Sequence, residues 1–210
     1  MSQQEISLLE RGHLEGVQLR TIRAAFRGVE AQAEVDIRWR GGAIDRLLDE
    51  RHAALVSAIS QLLSNAGWEI APEVTYNVFG ERGSIDLIAW HPGSATLLII
   101  EVKSKMTSLD STLRKHDEKV RLAPGVVAKR VGWRPRTVCR LLVLPDDRTA
   151  RRRVERADQV LRRVYPARGW TVRRWLGDPQ GPGNGLIFLS DGHPGRSKPP
   201  FPRLGRSERR

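Results

Sequence analysis

Apolar spacing along the chain predicts a short helix over residues 2–12, with Ser2 as N-cap, Glu5 three positions on and Gly12 as the stop. A second helix is predicted over 18–29. Residues 34–39 alternate apolar and polar like a strand, and Gly41-Gly42 ends that pattern. A longer helix over 43–66 follows, with Leu47, Leu48, Leu55, Ile59, Leu62 and Leu63 on its apolar stripe.

Beyond that helix, residues 69–79, 84–90 and 96–103 read as three strands, separated by turn signals at Gly80–Gly83 and His91-Pro92-Gly93-Ser94. Their spacing predicts an antiparallel meander. A helix over 109–122 comes next, then a connection over 122–136 that contains Pro124-Gly125. A strand over 137–144, an arginine-rich helix over 149–164 and strands over 171–176 and 186–189 complete the pattern. The fold class is therefore α/β, with an αβββαβ core around a central mixed sheet and a small N-terminal helical segment. Three regions are expected: a helical segment with a short strand over 1–42, the main domain over 43–192, and a basic disordered tail over 193–210.

Composition narrows the classes of function. The longest apolar runs, such as Leu97–Ile100 and Leu141–Leu144, fall far below the roughly 20 residues of a membrane span, and no secretory apolar segment opens the chain. A cytoplasmic protein without a membrane partner is expected. The single cysteine, Cys139, excludes an intramolecular disulfide and is expected to lie buried in its strand. The histidines show no zinc-type spacing, and His52 and His116 read as packing or surface residues.

The net charge of +12 favours a polyanionic partner, and it is concentrated: residues 148–210 hold 16 basic against 5 acidic groups. Within the arginine-rich helix, Arg151, Arg152, Arg153, Arg156, Arg162 and Arg163 outnumber Glu155 and Asp158, so a nucleic-acid backbone is the expected partner, with nucleoid association as its consequence. Gly181-Pro-Gly-Asn-Gly185 lacks the Lys-Ser/Thr of a phosphate loop and reads as a turn.

The chemistry is expected at Gly83-Ser-Ile-Asp86 and Leu97-Leu-Ile-Ile-Glu101-Val102-Lys103. Side chains at i and i+2 of a strand share a face, so Glu101 and Lys103 project together from a strand that Leu97–Ile100 mark as buried. A hairpin that sets Asp86 beside Glu101 brings two like charges together, and these need a cation to stay ionised. Oxygen ligands with open positions suit Mg²⁺ or Mn²⁺, and Lys103 can orient or deprotonate water or stabilise charge at phosphorus. Taken alone, Asp and Glu-x-Lys also occur in solvated hairpins, where they contribute a few tenths of a kcal/mol. The buried strand, the Gly-x-x-Asp hairpin and the element order together favour the site.

These residues resemble the PD-(D/E)xK phosphodiesterase superfamily of restriction endonucleases and archaeal-type Holliday junction resolvases, over about residues 43–145. The resemblance implies a restriction-endonuclease-like core in which Asp86, Glu101 and the carbonyl of Val102 hold the metal and Lys103 is catalytic. It also implies an acidic residue on the first helix, for which Glu50 is the candidate beside Asp45 and Asp49. On the helix after the tripeptide, Lys115, Lys119 and Arg121 would approach the scissile phosphate; the alternative for them is a solvated stripe paired with Asp117 and Glu118. Double-stranded or branched DNA would be the substrate, a homodimer a possible assembly, and no small-molecule cofactor is implied.

Residues 2–12 also resemble the recognition helix of Cro-type helix-turn-helix regulators, which implies that Ser2, Gln3 and Gln4 face base edges. Such domains place two helices before this one, so a start upstream of Met1 is expected. Two readings result: a Mg²⁺-dependent DNA endonuclease, and a helix-turn-helix transcriptional regulator whose nuclease-like domain does not cut. Phosphate contacts do not distinguish the sugar, so an RNA substrate stands as a third.

Overall fold

The computed structural model describes residues 7, 11, 18–28 and 42–190. The chain divides into two units, Met1–Arg40 and Gly41–Arg210. In the first, helix α1 spans Leu19–Gly28. The expectations for Ser2, Gln3, Gln4, the strand over 34–39 and the tail over 193–210 lie outside the described residues.

The second unit is a mixed α/β fold: a six-stranded sheet flanked by helices. Helix α2, Gly42–Asn65, buries Leu55, Ile59 and Leu63 completely. It ends in a Schellman arrangement, in which Gly67, at φ 81°, donates to the Ser64 carbonyl and Trp68 to that of Leu63. Strands β1 (Glu69–Val78), β2 (Glu81–His91) and β3 (Thr96–Val102) form the antiparallel meander. Helix α3, Leu109–Arg130, returns the chain to β4, Thr137–Pro145, which pairs with β3 in parallel. Helices α4 (Arg148–Arg156) and α5 (Asp158–Val164), the short strand β5 (Ala167–Arg168), helix α6 (Gly169–Gly177) and strand β6 (Gly185–Leu189) complete it. The sheet order is β1-β2-β3-β4-β6-β5, and elements α2 to β4 reproduce the αβββαβ sequence.

The helix after β3 runs to Arg130, where the sequence pattern stops it at 122 and makes the rest a connection. Its fourth and fifth turns bury Leu122, Ala123, Val126 and Val127 on the sheet, and this burial offsets the roughly 3 kcal/mol cost of Pro124 within a helix. Residues 171–176 form a helix rather than a strand. Val172 and Leu176 are buried at i, i+4, with Trp175 packed beside them, a helical period that the strand-favouring Thr171, Val172 and Trp175 conceal. The arginine-rich segment is two helices, because the backbone leaves helical values at Ala157 (φ −107°, ψ 14°).

Both faces of the sheet are covered. Leu87, Ala89, Leu98, Ile100 and Val102 pack with α2 and α6, whereas Ile88, Leu97 and Ile99 pack with α3. Leu142, Leu144 and Leu186 meet α4 and α5 in a third cluster. Glu101 pairs in register with Leu142, on the face of Leu97 and Ile99. A carboxylate therefore stands between two apolar clusters.

Candidate active site

The ladder between β2 and β3 runs from His91↔Thr96 to Leu87↔Ile100, where it ends, with Asp86 and Glu101 the next residue on each strand. There the Asp86 side chain replaces a main-chain acceptor: its Oδ2 receives the Val102 N–H at 2.8 Å. The local alternation also breaks, since Ile85 and Ile88, three positions apart, both pack on the α3 side. Glu73, across the β1–β2 register from Asp86, has φ 49°. Such distortions re-aim a side chain.

Glu101 is fully buried. Two ammonium groups neutralise it: Lys119 Nζ donates to Oε2 at 2.5 Å, and Lys103 Nζ lies 2.7 Å from Oε1. Lys119, itself 7 % exposed, also donates to Asp86 Oδ1 at 3.2 Å. One ammonium bridges both carboxylates. Burial pushes the Glu101 carboxyl upward, but the charges of Lys119 and then Lys103 outweigh it and hold the group below its ordinary value. Lys103 is anchored by its N–H on the Val143 carbonyl at 3.0 Å, and its side chain is one-third exposed at the rim.

The support continues around α3. Tyr76 donates to Glu118 at 2.6 Å, and Asp117 pairs with Arg140. The phenol of Tyr76 is raised by burial first and by Glu118 second. His116 is completely buried: Nε2 faces the Ile99 carbonyl at 3.1 Å, so it carries the proton, and Nδ1 accepts from the Tyr165 hydroxyl at 2.7 Å. Burial pushes this imidazole down to about 4.

The sequence-derived set is thus divided. Asp86, Glu101, Val102 and Lys103 come together. Lys119 joins them inside the site, engaged by the carboxylates and not held out on a solvated stripe, while its i−4 neighbour Lys115 is exposed. Arg121 is committed to Glu81 at 2.7 Å, and Glu50 is exposed on α2, with no hydrogen bond or ion pair among the described residues joining it to the site. Of the arginine cluster, Arg151 binds Asp146 and covers the Phe188 ring, Arg153 binds the Met106 carbonyl, and Arg162 binds Asp158. Arg152, Arg156 and Arg163 are exposed, as is Arg148. A signal for Lys119 existed: Thr112, His116, Lys119, Ala123 and Val126 form the buried stripe of α3.

Past Lys103, residues Ser104–Met106 line a cleft of about 200 Å³ with Leu48, Arg51 and the start of α4. It opens at the carboxyl ends of β3 and β4, a position where parallel sheets bind ligands. Asp147 caps α4 through the Ala150 N–H at 2.7 Å and pairs with Arg51 at 2.7 Å.

Among the described residues, no group of three or more His, Cys, Asp and Glu side chains could hold a metal ion. Two carboxylates, Asp86 and Glu101, converge here instead, an oxygen pair of the kind that would fit Mg²⁺, a cation that keeps several waters. Among the described residues Glu101 Oε1 meets only the Lys103 ammonium, at 2.7 Å, so a cation there would share this oxygen with Lys103.

No family model matches the chain, and no curated protein matches it. Among solved structures it is similar to an XisH family protein from Nostoc punctiforme PCC 73102, with TM-score 0.35 and 19 % identity over 52 % of this chain and 84 % of that one. It is also similar to an FdxN element excision controlling factor protein from Anabaena variabilis, with TM-score 0.33 and 19 % identity over 52 % and 82 % of the two chains. Among the described residues, no helix is long and apolar enough to cross a membrane.

Proposed function

We propose that this chain is a metal-dependent phosphodiesterase acting on DNA. The observation that carries this reading is the convergence of Asp86 and Glu101 on one cationic position, with Lys103 at its rim. Asp86, Glu101 and the Val102 carbonyl would hold Mg²⁺ or Mn²⁺, which when bound supplies Lewis acidity at a phosphate oxygen and acidifies a water. Burial of Glu101 keeps its carboxylate dry and fixed. The partly exposed Lys103 ammonium faces the charge that grows at phosphorus during in-line attack. The exposed Arg148, Arg152, Arg156 and Arg163 supply backbone contacts, so binding weakens steeply with salt.

The test is nicking of supercoiled plasmid and of four-way-junction DNA by the full chain in Mg²⁺ and in EDTA, alongside Lys103→Met. Cleavage in Mg²⁺ that is lost in EDTA and in the variant supports the reading. Cleavage indifferent to both contradicts it.

A second reading, DNA binding without catalysis, is favoured by one observation: the Lys119 ammonium already bridges the carboxylates. It predicts salt-sensitive DNA binding and no nicking in any divalent metal.

A further inference from the structure

A buried lysine between two carboxylates has two physical consequences. It neutralises charge that would otherwise oppose folding, and it stands where a second cation would have to stand. Lys119 has both properties. Its Nζ lies 2.5 Å from Glu101 Oε2 and 3.2 Å from Asp86 Oδ1, and it reaches them from α3. The neighbouring turns of α3 are anchored separately, through His116 on Ile99 and Tyr165 and through Glu118 on Tyr76. The helix therefore does not depend on Lys119 for its placement. Asp86 is also held on its other oxygen by the Val102 N–H, so the carboxylate pair keeps its place when the ammonium leaves.

We infer that Lys119 is a built-in competitor for the divalent cation: the ammonium and the metal occupy the carboxylate pair alternately. A phosphate anion brought to the site offers Lys119 another partner and thereby favours metal entry. By linkage, DNA and metal then raise each other's affinity through this one side chain. The inference rests on the proposed metal dependence, and it adds Lys119 as a positioning residue that sets metal affinity.

The test is Mn²⁺ binding to the full chain, read by electron paramagnetic resonance of the free ion, for wild type, Lys119→Met and Lys119→Gln. No cleavage is measured. Lys119→Met is expected to bind Mn²⁺ at least tenfold more tightly than wild type, and Mn²⁺ is expected to raise its melting temperature more. Should Lys119→Met fail to fold, Lys119→Gln, which keeps an N–H donor without the charge, is expected to show the same gain. Short duplex DNA is expected to tighten Mn²⁺ binding in wild type but not in the variants. Equal Mn²⁺ affinity in wild type and folded variants overturns the inference while leaving metal dependence standing. Absence of Mn²⁺ binding in all three overturns both.

Discussion

Asp86 accepts the main-chain N–H of Val102 at 2.8 Å, so one carboxylate both belongs to the site and fixes the strand that carries Glu101. The two roles separate by substitution. Asp86→Asn keeps an oxygen for the buried amide, whereas Asp86→Ala leaves it unpaired, at a cost of about 1–3 kcal/mol. Urea unfolding is expected to place Asp86→Ala below Asp86→Asn by that margin, with Mn²⁺ binding lost in both. Equal stabilities would show that the Val102 contact contributes nothing.

Gly83 is set by space. A Cβ there would lie 2.4 Å from the Tyr76 hydroxyl, the group that binds Glu118. Gly83→Ala is expected to destabilise by about 1–3 kcal/mol through overpacking. In a Tyr76→Ala background the same change is expected to cost markedly less, because the ring it meets is gone. Additive costs in this double-mutant cycle would place the strain elsewhere.

His116 sets an acid limit on stability. Burial lowers its folded-state value from 6.5 to about 4, so above pH 6.5 the imidazole is neutral in both states and its contribution is complete. As the pH falls towards 4, the unfolded chain takes up the proton first, and stability declines by roughly 3 kcal/mol in total. The urea midpoint of wild type is expected to drop across pH 6.5–4, and His116→Gln to flatten that drop. An unchanged slope in the variant would assign the loss to other groups.

The parts of the fold legible in the sequence are those where pattern and packing agree. Leu55, Ile59 and Leu63 announce α2, and the turns at Phe79-Gly80 and at 92–95 separate β1, β2 and β3. Pattern fails where a local rule is overridden. Pro124 reads as a stop, yet buried Val126 and Val127 carry α3 through it. Val172 and Leu176 sit within a run whose strand-like composition hides a helical period. In the site, Asp86, Glu101 and Lys103 are legible because hairpin register and the period of two place them together. The bridging role of Lys119 is not, because it depends on how α3 lies across the sheet, which spacing along one element does not encode.

The most direct measurement compares wild type with Glu101→Gln in plasmid nicking with Mg²⁺ and in DNA binding with EDTA. This substitution keeps the shape of the buried side chain and removes its charge. Nicking is expected to fall at least about a hundredfold, with binding in EDTA nearly unchanged, since the exposed arginines are untouched. Equal nicking by the two proteins would contradict a catalytic role for the Asp86–Glu101 pair.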